Sequence, residues 1–173
     1  MELPAVVDDE TMPKESWLVD FCRAERQQGR KVLIYLRQTG TRDIQDRILK
    51  ILRDGGVRAE VLSSGVNPRK REEWIARRVI GLDALVVNPK LVATGLDLIA
   101  FSSVVFLEIE YSLYVLWQSL RRVWRLGQTK PVKAIFSVYN DTMESRALAL
   151  IGAKMKAAQL LYGDNVGGAI VPE

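Results

Sequence analysis

From residue 31 onward, short apolar and β-branched runs bounded by Gly, Asn or Pro alternate with longer segments of helical period. That alternation restricts the chain to a sheet of mostly parallel strands covered by helices, because parallel neighbours need a crossover between them. It predicts strands over Val32–Leu36, Arg58–Leu62, Ala84–Asn88, Val104–Leu107 and Val132–Val138. Between the first two, Ile44, Ile48, Ile51 and Leu52 fall on one helical stripe, so Arg42 to Arg53 is read as a helix. Asn67 followed by Pro68 reads as a cap and first helical residue for a helix ending at Gly81. The last helix is expected to start at Asp141, with Glu144 completing a capping box and Ala147, Leu150, Ile151, Ala158 and Leu161 facing inward. Residues 1–16 show no period and read as an irregular leader, with Ser16 capping a helix from Trp17 to Gln28; residues 17–163 form the domain and 164–173 a flexible tail.

At 173 residues and 48% hydrophobic content, the chain suits one domain with a full core. It contains no histidine, which removes serine–histidine triads and His-ligated metal sites, and its single cysteine, Cys22, is read as a packing residue in a reducing compartment. The acidic start and the polar interruptions of the stretch from Leu91 to Leu107 exclude a secretory peptide and a membrane span, so a cytoplasmic protein is expected. A net charge of +4 is compatible with a polyanionic partner. No Gly-x-x-x-x-Gly-Lys-Ser/Thr phosphate loop and no Gly-x-Gly-x-x-Gly fingerprint occurs. The stretch Ala5-Val6-Val7-Asp8-Asp9-Glu10 ends in acids like a magnesium-binding strand, but no phosphate loop precedes it and a solvated leader is the better reading.

The most informative segment is Tyr111 to Gln128, YSLYVLWQSLRRVWRLGQ. At about 100° per residue, a helix here puts Gln118, Arg122 and Arg125 in one outward row and Leu113, Leu116, Leu120 and Val123 on the opposite, buried side. Gly127 is placed to end it in a left-handed turn. Taken alone, such a row is an ordinary solvated face. Gln118, Arg122, Arg125, Gly127 and Gln128, however, stand in the spacing of motif six of superfamily-two helicases. The Arg-Leu-Gly-Gln ending resembles the Swi/Snf class of DNA translocases, whose usual string is Gln-Ala-x-Asp-Arg-Ala-His-Arg-Ile-Gly-Gln. This chain departs from it at Arg121, where the class has Asp, and at Trp124, where it has His.

The resemblance spans residues 30–162. Lys31 to Tyr35 looks like motif four, the first strand of the second RecA-like lobe. Asn88 to Leu98, NPKLVATGLDL, looks like motif five, with Lys90 in place of an arginine and Val92-Ala93 in place of a Gly-Gly pair. Thr142-Met143-Glu144 and Lys154 match the helix that follows motif six, and Asn-Pro-Lys with Thr-Gly-Leu-Asp-Leu is similar to a bacterial and phage-associated branch.

The resemblance implies a three-layer α/β RecA-like fold and the carboxyl-terminal lobe of an ATP-dependent DNA helicase or translocase. The phosphate loop and the magnesium-binding acids would then lie on an amino-terminal lobe outside these residues. Arg125 is expected to be the arginine finger, Arg122 its neighbour on the phosphates, Gln118 an ordering residue, and Gly95 and Asp97 the approach to the ribose of ATP. Both guanidinium groups are expected near the sheet's carboxyl rim, through an opening a triphosphate can enter. Loops after parallel strands supply the DNA backbone contacts: Thr39, Thr41 and Arg42, then Ser63 and Ser64, then Asn88 and Lys90. A basic helix with Arg69, Lys70, Arg71, Arg77 and Arg78 adds attraction or is simply solvated. Trp74, Trp117 and Trp124 are read as packing rather than base-stacking groups. Two other readings remain: a non-catalytic nucleic-acid-binding module, and an α/β protein-interaction domain with no salt-dependent affinity for DNA.

Overall fold

In a computed structural model, the described residues are 10–37, 44–92 and 95–162. Five parallel strands, β1 (Val32–Tyr35), β2 (Ala59–Leu62), β3 (Ala84–Val87), β4 (Ser103–Phe106) and β5 (Lys133–Phe136), form one sheet in the order β2-β3-β1-β4-β5. The strands lie where the alternation places them, each within two residues of the expected limits. β1, β3 and β4 are buried along their whole length because helices cover both faces. Successive residues serve opposite layers. Val32 and Ile34 pack with the helices α1 (Pro13–Gln27) and α2 (Gln45–Asp54), whereas Leu33 and Tyr35 face α3 (Arg71–Arg78), α5 (Leu113–Arg121) and α6 (Met143–Tyr162). A short α4 (Pro89–Val92) follows β3. This is the expected three-layer α/β architecture with a parallel sheet.

Two helix starts differ from expectation. Ser16 does not cap α1; the helix begins at Pro13, whose missing N–H costs nothing in the first turn. The Met12 N–H is taken at 2.7 Å by the Glu15 carboxylate, which Arg47 of α2 holds at 2.7 Å, so the supposed leader is helical from Pro13. α6 does not start at Asp141, which has a left-handed φ of 59°. Glu144 is drawn instead to the Lys14 ammonium, and Ser145 Oγ and the Thr142 main chain bond each other at the helix entrance. Ala147 and Ile151 face inward, but Leu150 is 53% exposed. Ala5 to Asp9, the tail 164–173 and the side chains of Ala158 and Leu161 lie outside the described residues.

Buried carboxylates tie α1 and the strand entrances together. Asp83, 3% exposed, accepts hydrogen bonds from the Arg58 main chain and guanidinium and from Arg26. Burial alone would raise its pKa; the arginine partners outweigh that and hold it down to about 2, from an ordinary 3.8. Glu15 and Glu25 are lowered in the same sense, burial again being overcome by Arg47 and by Lys133, Ser103 and Arg30 respectively. A folded-state pKa below the unfolded one gives stability that is present above the unfolded value and lost as pH falls through the folded one. The urea midpoint should therefore drop between about pH 4 and pH 2, and Asp83→Asn should flatten part of that slope while lowering the midpoint at neutral pH. An Asp83→Asn protein with the parent's acid profile would contradict this assignment.

Among the described residues no helix is long and apolar enough to cross a membrane. Cys22 is buried, and burial first, then the nearby Asp83 and Glu25 charges, push its thiol up to about 12, which makes it the packing residue expected from the sequence.

Candidate functional site

The expected site residues separate to opposite ends of the sheet. At the amino end lies the loop after α5. This helix buries Leu116, with Leu113 and Leu120 half-buried beside it and Val123 buried just beyond its end, as the leucine face requires. It ends at Arg121, however, rather than continuing to Gly127. The carbonyls just past its end are captured from outside: Leu98 N–H donates to the Arg122 carbonyl at 3.1 Å, and Gln128 Nε2 to the Val123 carbonyl at 3.2 Å. The same Gln128 amide donates to the carbonyls of Ile99 and Phe101 at 2.9 and 3.1 Å. Gly127 takes the expected left-handed turn, with φ 98°.

Gln118, Arg122 and Arg125 therefore do not form one helical row. Gln118 is half-buried on α5, and Arg122, the residue that caps it, is half-buried, its charge acting on the buried Tyr35 phenol. Burial raises the Tyr35 pKa, while a hydrogen bond to the Ser119 carbonyl and the Arg122 charge oppose the rise. Arg125 is exposed on the irregular turn, beside Trp124 at 55% and Leu126 at 99% exposure. Trp124 is thus not a core residue, whereas Trp117 is half-buried.

Gly95, Asp97 and the arginine loop belong to one substructure. Gly95 is exposed with φ 73°, Asp97 is exposed and accepts the Ile99 N–H at 3.2 Å, and Leu98 bonds Arg122 directly. Because Ile99 and Phe101 precede β4, the arginines stand at the amino end of the sheet. The expectation that they lie near the carboxyl rim is corrected: α5 carries the chain back along the sheet before they occur. Arg125 nevertheless remains open to solvent. Gln128, the last residue of the motif-six string, pins this loop to Ile99 and Phe101. Gln128→Ala should lower stability by about 1–3 kcal/mol, read as a shifted urea midpoint; an unshifted midpoint would remove the pinning role.

At the carboxyl end stand the loops after β2 and β3. Ser63 and Ser64 are exposed. Asn88 is 5% exposed, and both polar atoms of its amide are engaged within the chain: Nδ2 donates to the Arg37 carbonyl and Oδ1 accepts the Lys90 N–H, both at 2.9 Å. It shapes the rim that Lys90, which is exposed, occupies. Thr39, Thr41 and Arg42 lie outside the described residues.

The basic helix divides as well. Arg69 and Lys70 are exposed on the 3-10 turn Pro68–Lys70, capped by Asn67 as expected. Arg71 is 8% exposed and donates to the carbonyls of Val66 and Leu91, bracing the loop after β2 against α4. Arg77 pairs with Glu73, and Arg78 pairs with Glu60 and lies over the Trp74 ring, which accounts for that tryptophan. Nothing in the hydropathy or spacing marks Arg71 as buried; only its fixed position between two loops does.

Comparison with known proteins gives the geometry a context. The helicase conserved C-terminal domain family matches residues 13–127. ATP-dependent helicase rhp16 of Schizosaccharomyces pombe is 27% identical over 113 residues, 64% of this chain and 13% of its own length. Helicase-like transcription factor CHR27 of Arabidopsis thaliana is 27% identical over 141 residues, 80% of this chain and 13% of its length. SNF2 domain-containing protein CLASSY 4 of the same plant is 24% identical over 157 residues, covering 88% and 14%. The chain thus spans only a small part of these relatives. They come from a fungus and a plant, and the narrower likeness to a bacterial and phage-associated branch has no support among them. The crystal structure of the C-terminal part of the Fun30 ATPase domain superposes with a TM-score of 0.68 at 17% identity, covering 87% of this chain and 48% of that one, and so shares its fold. The chain belongs to the helicase conserved C-terminal domain family.

Proposed function

We propose that this chain is the second lobe of an ATP-dependent DNA helicase or translocase of the Swi/Snf class, binding ATP and DNA jointly with an amino-terminal RecA-like lobe. The nucleotide is gripped by that other lobe. This lobe brings the Arg125 guanidinium to the terminal phosphate, with Arg122 behind it, Gln118 ordering the phosphate side and Gly95 and Asp97 at the ribose. A phosphoryl group in transit spreads negative charge over its oxygens, and a cation that arrives only when two lobes close stabilises that charge more than it stabilises bound ATP. Magnesium would be supplied through the other lobe. Among the described residues no three Asp, Glu, His or Cys side chains gather to hold it, so no step is assigned to a metal on this chain. The carboxyl rim, with Ser63, Ser64, Lys90 and the loop carrying Thr39, Thr41 and Arg42, takes the DNA backbone, and Asn88 acts by shaping that rim. A cytoplasmic or otherwise reducing setting fits the lone buried thiol.

The observation that carries this reading is the exposure of Arg125 on a loop bonded to Leu98 and Ile99, the residues that follow Asp97, at the end of the sheet opposite the rim. Nucleotide and nucleic acid can then be held at once without competing for one surface. The test is an ATP hydrolysis assay on the chain alone, on the matching amino-terminal lobe alone and on the two together, with and without DNA. DNA-stimulated turnover is expected only when both lobes are present. Salt-dependent DNA binding with no turnover in the mixture would select the non-catalytic module instead.

A further inference from the structure

Beside the edge strand β2, an open hollow of about 440 Å³ lies at the amino ends of β2 and β3. Arginines from three elements line it: Arg53 in the last turn of α2, Arg58 just before β2 and Arg78 at the end of α3. Each guanidinium is held within the chain through its Nε. Arg53 Nε donates to the Ala59 carbonyl at 3.1 Å, Arg58 Nε to Asp83 at 3.0 Å and Arg78 Nε to Glu60 at 2.8 Å. Arg58 also gives Nη2 to Asp83, and the Arg78 guanidinium stands 4.3 Å from the centroid of the Trp74 ring. Both terminal nitrogens of Arg53 and Arg78, and Nη1 of Arg58, make no bond among the described residues. A fork fixed on one side is ready to take a carboxylate on the other.

Two further cations stand behind these three. Arg26 donates to Asp83 and to the Gly56 carbonyl, and Lys31 to the carbonyls of Ile80 and Leu82. Among the described residues, the carboxylates bonded to these five cations are Glu60 and the buried Asp83 alone. Asp54, next to Arg53 in the chain, lines a different hollow between α1 and α2. The excess of positive charge around a concave surface favours anionic groups from outside. The remainder of the wall is apolar. Val57, Ala59 and Leu82 line it, and Ile80, 85% exposed, stands on the turn that leads into it. A phosphodiester backbone carries charge but no apolar side chain to set against Ile80, whereas a peptide with both acidic and apolar residues matches both parts of the surface.

We infer that this hollow docks an acidic peptide segment of a partner protein. Its carboxylates meet the Nη edges of Arg53, Arg58 and Arg78, and its apolar side chains lie against Ile80. The site goes beyond the function proposed above. β1 separates it from the arginine loop that precedes β4, and it lies at the end of the strands opposite the carboxyl rim, so a partner held here leaves both surfaces free.

The test is fluorescence anisotropy of a labelled peptide of about 12 residues, built of Asp-Asp-Leu repeats, titrated with the whole chain at low and high potassium chloride. The same peptide with Asn in place of Asp is the comparison. The acidic peptide should bind about 100-fold more tightly than the Asn peptide at low salt, and the difference should shrink at high salt. Arg53→Ala/Arg78→Ala should weaken the acidic peptide by about 100-fold, about tenfold for each lost charge-assisted contact. Ile80→Ser, which alters an exposed side chain, should weaken it by about tenfold and keeps the test decisive if the double variant loses its circular dichroism. Lys156→Ala, which removes an exposed charge from α6 beyond the other edge of the sheet, should change nothing. Equal binding of the two peptides, no binding of either at low salt, unchanged affinity in either folded variant, or an equal loss in Lys156→Ala overturns the site. So does a duplex DNA of about 20 base pairs whose affinity falls as far as the peptide's in the double variant, because the hollow would then be a nucleic-acid surface.

Discussion

Replacing Arg125 by alanine in the two-lobe protein should reduce DNA-stimulated ATP turnover by about 10³-fold or more, with nucleotide binding nearly unchanged. The size follows from when the guanidinium acts. Arg125 is exposed, makes no side-chain bond among the described residues that would hold it in this lobe, and sits on a turn fixed by Gln128 rather than by its own contacts. Its removal should therefore leave the fold intact and remove only an interaction made on closure. The kinetic signature is a loss in kcat with KM little changed. Arg122 should behave differently. Its side chain is half-buried and its charge acts on the buried Tyr35 phenol, so Arg122→Ala should cost stability as well as turnover. Normal turnover in the Arg125→Ala protein would refute the finger assignment.

The second large effect is on stability. Glu25, 2% exposed near the end of α1, accepts hydrogen bonds from Arg30 Nε at 2.7 Å, Lys133 Nζ at 2.7 Å and the Ser103 hydroxyl. It thereby joins α1 to the entrances of β4 and β5. Truncating one member of a buried ionic cluster strands its partners, and the Arg30 side chain is itself only 9% exposed. Glu25→Ala should cost about 3–5 kcal/mol, a large share of the about 5–15 kcal/mol that holds a typical domain together. Glu25→Gln, whose amide oxygen still accepts, should cost less. Urea denaturation at neutral pH measures both, and a loss below about 1 kcal/mol in the alanine variant would contradict the role given to this cluster.

Both predictions depend on features of unequal visibility in the sequence. The strands were legible because β1, β3 and β4 are buried on both faces and so must be uninterrupted apolar runs, such as Val32–Tyr35. The face of α5 was legible because Leu116 and Val123 keep the helical period even past the helix end. That persistence also misled: periodicity reports which way side chains face, not whether carbonyls stay inside the helix. The capture of the Arg122 and Val123 carbonyls comes from Leu98 and Gln128, a tertiary event. The start of α1 was hidden for a similar reason, since Met12 is no capping residue and its N–H is met by a Glu15 carboxylate anchored on Arg47, far along the chain. Arg71 and Asn88 were misjudged as surface groups because burial of a polar side chain leaves no trace in hydropathy; only the carbonyls and N–H groups around them account for it. The motif residues themselves could be named from their spacing, but their division between the two ends of the sheet follows from the direction of α5, which spacing does not encode.

The most direct measurement of the central claim compares two ligands on the two-lobe protein: ADP, and ADP with aluminium fluoride as a mimic of the phosphoryl group in flight. Arg125→Ala should weaken the mimic by about 10³-fold while ADP affinity stays within about threefold, because the guanidinium is matched to charge that exists only at the barrier. Equal weakening of both ligands, or of neither, would contradict it.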